Sequence, residues 1–192
     1  MNLFRTLGGA FLLGLAGAGL NSCISAPDYP IVPEIEFKDL QVGKLRPGNG
    51  LLAYDTLKFA VNFKDGDGDL GLSDNDIKNA PFNAKTGGHN NRGYSFNYFI
   101  QPFVKDASGK FVQFVNAPPF GFVGEYDGRY LRLDGADAKP APLRGVLRYK
   151  LALAIDGTSF KPGQVFRFEI SILDRALHES NKITTSEVTL GQ

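Results

Sequence analysis

The sequence predicts an all-β protein built as an antiparallel sandwich, and three observations carry that expectation. Apolar residues recur at every second position in four separate runs, which is the pattern of strands with one buried face. The stretches between runs are rich in Gly, Pro, Asp and Asn, as in "KDASGK" at 105–110 and "DGTSFKPGQ" at 156–164, which is the chemistry of turns. No segment has the three-to-four-residue period of a long amphipathic helix.

The four runs come in order. Leu57, Phe59, Val61 and Phe63 alternate with Lys58, Ala60, Asn62 and Lys64; Tyr94, Phe96, Tyr98 and Ile100 follow. Leu147, Tyr149, Leu151, Leu153 and Ile155 make the third run, and Phe166, Phe168, Ile170 and Ile172 the fourth. Weaker strands are expected at 34–42, 111–115, 129–133 and 183–190. In the first of these Ile35 and Phe37 have one parity and Leu40 and Val42 the other. A regular strand would turn one pair to water, so a bulge is expected between them. The result is an immunoglobulin-like antiparallel β-sandwich of about seven to eight strands, with 66–93 and 116–145 as two long loop insertions.

Ahead of this domain, residues 1–22 have the charged, apolar and small-residue zones of an export signal. The apolar run at 8–20 is 13 residues, short of the roughly 20 that a membrane span needs. Cys23 is the only cysteine, so the chain cannot form an internal disulfide. Residues 23–33 carry Pro27, Pro30 and Pro33, a spacing that favours an extended, fairly stiff tether. The domain proper is expected over 34–192.

Removal of residues 1–22 would take away Arg5 and bring the net charge from +1 to about zero. That balance argues against a nucleic-acid partner, whose phosphates require an excess of Lys and Arg. Catalytic motifs are missing too. His89 and His178 are the only histidines, they lack zinc-ligand spacing, and no G-x-S-x-G occurs.

The segment "NFKDGDGDLGLSDND" at 62–76 holds five aspartates from Asp65 to Asp76, directly after a strand. Asp65, Asp67 and Asp69 stand at alternate positions separated by glycines, the spacing with which the opening of an EF-hand loop wraps Ca²⁺. Position 6 of that frame is Leu70 rather than glycine and position 12 is Asp76 rather than glutamate, so an EF-hand proper is not expected. An acidic, glycine-rich stretch is also an ordinary solvated turn. If 57–64 is the second strand of the sandwich and 165–173 the sixth, their trailing loops leave at the same end, which would bring Asp174 to face Asp65. Asp65, Asp67, Asp69, Asp76 and Asp174 are therefore the expected ligands of a structural Ca²⁺, with Asp74 nearby and Asn181 a weaker candidate. A pairing of Arg175 with Asp174 or an acidic-loop carboxylate, with no metal, is the competing arrangement.

Two features carry a resemblance. Leu20, Asn21, Ser22 and Cys23 resemble a lipobox of the kind found in Bacteroidota lipoproteins, which makes Cys23 the lipidated residue. "FKDGDGDLGL" after one strand and "ILDRALHESN" before the last are similar to those of poorly characterised Bacteroidota lipoproteins with an immunoglobulin-like domain. The resemblance implies an outer-membrane lipoprotein of the cell envelope, its sandwich on either the surface or the periplasmic face, held to the membrane by its N-terminal lipid, with no established activity.

Three functions follow as expectations. The first is a non-catalytic binding or structural module, with an unidentified protein or glycan partner and a calcium brace. The second is a carbohydrate-binding accessory protein that stacks sugars on Phe120, Phe122, Tyr126 and Tyr130 of the second insertion, although those aromatics serve equally as packing over one end of the sandwich. The third is a glycoside hydrolase using carboxylates of that insertion, among them Glu125, Asp127, Asp134 and Asp137.

Overall fold

A computed structural model describes residues 27–117, 119, 121–135 and 138–192. Residues 1–22, expected as an export signal, and Cys23, Phe120 and Asp137 lie outside the described residues. Eight strands make two antiparallel sheets, and the described residues include no α-helix, only short 3₁₀ turns at Asp76–Lys78 and His89–Asn91. One sheet holds β1 (Glu34–Leu45), β2 (Ala53–Asp65) and β5 (Leu143–Ile155), in the order β1-β2-β5. The other runs β4 (Phe111–Gln113), β3 (Tyr98–Lys105), β6 (Val165–Ile172) and β7 (Ile183–Thr184), with β8 (Val188–Thr189) also paired to β6. First, second and fifth strands facing third, fourth, sixth and seventh is the Greek-key order of immunoglobulin-type sandwiches.

The alternating apolar residues fill the space between the sheets. Leu57, Phe59, Val61 and Phe63 of β2 meet Phe166, Phe168, Ile170 and Ile172 of β6, all buried. Phe59 and Phe168 pack edge to face at 5.0 Å between centroids, the arrangement that aromatic quadrupoles favour. Burying a side chain of this size contributes on the order of 2 kcal/mol, so this paired row is the main source of stability.

The expected bulge in β1 is present as a register shift between Phe37 and Asp39 on β2. Across the sheet gap, the Asn181 side chain donates to the Ile35 carbonyl at 2.9 Å and accepts from the Ile35 N–H at 2.8 Å, which clasps β1 to the segment before β7. Residues 129–133 do not form a strand of either sheet. They run beside the acidic loop instead, with Leu72 N–H donating to the Tyr130 carbonyl and Leu133 N–H to the Leu70 carbonyl. Tyr94 and Phe96 precede β3 rather than opening it. Among the described residues no helix is long and apolar enough to cross a membrane.

Candidate metal centre

β2 opens and closes with a buried aspartate on the same inward face. Asp55 and Asp65 are both fully inaccessible, yet their surroundings differ. Asp55 accepts from Arg46 at 2.5 Å and from the Gly191 N–H at 2.7 Å, so its charge is matched and the C-terminal segment is clipped to the sheet. Neither carboxylate oxygen of Asp65 has a well-formed hydrogen bond, and the Asp69 backbone, which favours its charged form, offsets little of the burial. A buried carboxylate so weakly partnered is among the most costly groups a fold can hold, and native structures resolve it with a proton, a cation or a water.

The loops after β2 and β6 leave at the same end, as the strand order requires. Leu70 and Asp174 form an antiparallel bridge, and Arg175 N–H donates to the Asp69 carbonyl at 3.2 Å. This junction brings one carboxylate oxygen each from Asp65, Asp69 and Asp174 within 4.8 Å of one another. Asp69 Oδ1 and Asp67 Oδ1 are also buried without a hydrogen-bond partner. Gly68 and Gly71 make the turn possible, with φ of 73° and 91°, a region that side-chain-bearing residues rarely enter. A Cβ on Gly71 would also strike the Leu131 carbonyl.

Charge crowding shows in the acid–base properties. Burial, then the charges of Asp67, Asp69 and Asp174, push the Asp65 carboxyl up to about 7 from 3.8. Burial and the neighbouring Asp174 and Asp67 also raise Asp69, with Arg175 opposing. Burial raises Asp174, while hydrogen bonds from His178 act the other way. Those bonds are specific: the His178 backbone N–H donates to Asp174 Oδ1 at 2.7 Å, and its Nδ1 lies 3.0 Å from Oδ2. Tyr130 closes the site from the second insertion, its hydroxyl donating to the Leu173 carbonyl at 3.2 Å. Its phenol is raised by burial and by the charges of Asp65, Asp174 and Asp69.

Four expected participants have other roles. Asp76 accepts from the Ser73 N–H at 2.7 Å while its own N–H donates to the Ser73 hydroxyl, a reciprocal cap on the 3₁₀ turn that keeps it out of the cluster. Asp74 is exposed and pairs with Arg129 at 2.6 Å. Asn181 is committed to Ile35, as described above. Arg175 pairs with Asp134 at 2.7 Å and donates to the Leu70 and Gly71 carbonyls, so it braces the loop backbone instead of neutralising Asp174.

The aromatic insertion does not present the expected stacking platform. Tyr130 faces the acid cluster, and Tyr126 is half-buried against Phe160 and accepts from Asn116 at 2.9 Å. Phe122 alone of the described three is exposed, with the Arg92 guanidinium 4.9 Å from its ring centre. The carboxylates there are similarly engaged. Asp127 is buried and accepts from the Ile100 N–H at 3.1 Å, Glu125 accepts from Asn116 at 2.8 Å, and Asp134 is held down to about 2 by Arg132 and Arg175.

No family model matches the chain, and no curated protein matches it. Among solved structures it is similar to the "X-ray structure of Northeast Structural Genomics Consortium target SoR45", at 7% identity over 84% of this chain and 87% of that chain, with a TM-score of 0.34. A likeness at that level says nothing about the site.

Proposed function

We propose that the chain is a non-catalytic, lipid-anchored envelope module whose β-sandwich is braced by one Ca²⁺ between the loops after β2 and β6. The observation that carries the brace is Asp65, fully buried, with neither oxygen in a well-formed hydrogen bond, beside Asp69 and Asp174. Ca²⁺ binds oxygen at about 2.4 Å, so two ligands of one ion stand no more than about 4.8 Å apart. One oxygen from each of the three carboxylates lies within that limit. Asp67 contributes charge and an unpartnered oxygen at the same loop.

Hard oxygen donors with several carboxylates suit Ca²⁺ better than Mg²⁺, which keeps most of its water. Zinc favours nitrogen and sulfur, whereas the cluster of Asp65, Asp69 and Asp174 offers oxygen. The hydrogen bonds from His178 to Asp174 fix that carboxylate's orientation, as outer contacts do for ligating groups. The ion would tie two crossings from opposite sheets, while the hydrophobic core folds the domain on its own. Lipid attachment rests on the lipobox-like Leu20–Cys23 segment.

Calorimetric titration of metal-free protein with Ca²⁺ tests the brace. One saturable site per chain and a rise in melting temperature are expected, because a ligand bound only by the folded state stabilises it. Absence of both effects would overturn it. Acyl mass on Cys23 in the membrane fraction is the expected result for the anchor, and an unmodified thiol the opposing one.

A further inference from the structure

The outer face of the β1-β2-β5 sheet carries an arrangement that stability alone disfavours. Lys58 of β2 stands directly opposite Lys150 of β5, and Lys64 directly opposite Arg144. Like charges at facing positions of an antiparallel pair are destabilising. With Arg148, which lies opposite Ala60 between them, they make five exposed cations on one face. Ion pairs elsewhere in the domain engage Arg46, Arg92, Lys105, Arg129, Arg132, Arg175 and Lys182, but among the described residues none of these five has an acidic partner. The acids on this outer face, Glu34, Glu36 and Asp39, sit on β1, opposite Lys64, Asn62 and Ala60 of β2 and across β2 from β5. The face is therefore polarised, positive toward β5.

Two open grooves, of about 600 and 520 Å³, lie on this face, the first bordered by Glu34 and Glu36 on one side and Lys64 and Arg144 on the other, the second by Asp39 beside Lys38, Lys58, Arg148 and Lys150. The two like-charge pairs are six residues apart on β2, which is roughly 20 Å along a strand. A broad face with spaced cations and no enclosing walls matches an extended anionic surface better than a small ligand.

We propose that this face docks on the anionic headgroups of a lipid bilayer. The choice of a membrane over a free polyanion comes from where the chain enters the sheet. Glu34 begins β1 beside Lys64, its register partner, and the eleven residues from Cys23 to Pro33 precede it. The Gly66 N–H holds the Pro30 carbonyl at 2.8 Å, so the reach is set by the seven residues from Cys23 to Tyr29, at most about 25 Å, and a lipid on Cys23 holds the basic face within contact range of the bilayer. This part rests on the lipid-anchor reading given above.

Co-sedimentation of residues 23–192 carrying Cys23→Ser, which lacks both the apolar run at 8–20 and the acyl group, measures the face by itself. The vesicles are phosphatidylcholine alone, and phosphatidylcholine with phosphatidylglycerol in equal parts. Preference for the anionic vesicles is expected, weakening as salt is raised. Adding Lys58→Gln and Lys150→Gln in the same background should lower the anionic partition about 30-fold, since each basic residue near such a surface adds a roughly constant increment. The same double substitution should leave the melting temperature unchanged or higher, because the facing cations repel; a lower one would mean that they serve packing.

Equal binding to both vesicles, or anionic binding indifferent to the double substitution, would overturn the proposal. So would retention on heparin without vesicle binding, which would assign the face to a soluble polyanion. The anchor fails separately: an unmodified Cys23 in native membranes, with the anionic preference intact, removes the lipid and leaves the face standing.

Discussion

Replacing Asp65 with Asn keeps the side chain's shape and deletes one charge from the acid cluster, and its two consequences have opposite signs. Two unit charges at 4.8 Å or less repel by about 3 kcal/mol at an effective dielectric near 20. Asp65 takes part in two of the three pairs among Asp65, Asp69 and Asp174, so the substitution removes roughly 6 kcal/mol of repulsion. Burying an amide without partners costs about 1–3 kcal/mol in return, which leaves a net gain of roughly 4 kcal/mol in chelator.

The acid–base shift leads to a similar figure. A rise from 3.8 to about 7 at a fully buried group corresponds to about 4 kcal/mol lost from the folded state at pH well above 7. The sign follows from the direction: the folded form holds its proton more tightly, so without metal, stability falls as pH rises from about 3.8 through about 7. In chelator above that range, Asp65→Asn is expected to melt on the order of 10 °C higher than the parent, at about 2–4 °C per kcal/mol for a domain of this size. In Ca²⁺ at a hundredfold excess over Kd the parent gains about 2.7 kcal/mol, and the variant should gain almost none. Differential scanning calorimetry with and without Ca²⁺ reads both effects. A variant that melts lower in chelator, or that keeps the parent's Ca²⁺ response, would refute the reasoning.

Other substitutions separate ligands from bystanders. Asp69→Asn should abolish most of the Ca²⁺-dependent rise in melting temperature, whereas Asp76→Ala should preserve it and cost only the hydrogen bond from the Ser73 N–H, about 1 kcal/mol. Asp134, held at about 2 by Arg132 and Arg175, contributes stability above pH 3.8 that disappears as pH falls through about 2. Asp134→Asn should therefore be about 2 kcal/mol less stable than the parent near neutrality, with the difference closing in acid urea titrations. Asn181→Ala removes both hydrogen bonds to Ile35 and should cost about 1–3 kcal/mol, with faster amide exchange at Ile35 than at Phe59.

What the sequence revealed depended on how local the signal was. The core strands were legible because Leu57 to Phe63 and Phe166 to Ile172 alternate without interruption, and a period of two leaves one choice of buried face. Placing these as second and sixth strands was enough to bring Asp65 and Asp174 together, since topology fixes which loops share an end. Asp76 misled because it falls at position 12 of a loop frame counted from Asp65, while the donor it serves, the Ser73 N–H, is three residues away. The "S-x-x-D" pattern at 73–76 was the available sign of a cap. Tyr130 and Arg175 were illegible for a different reason. Their partners, Leu173 and Asp134, are 43 and 41 residues distant, and no pattern along the chain encodes such a pairing. Asp55 was missed because a lone acid at the head of a strand reads as exposed until Arg46 and Gly191 are seen to reach it.

The entry point of the chain has a mechanical consequence. The Gly66 N–H donates to the Pro30 carbonyl at 2.8 Å, so the segment ahead of β1 is stitched to the acidic loop before it joins the sheet. A pull on the N-terminus therefore arrives first at that loop and only afterwards at the rungs between β1 and β2. A filled cation site would act as a rivet at the point of load. An emptied one would let the leash peel back to Glu34, lengthening the distance between body and support while the sandwich stays folded.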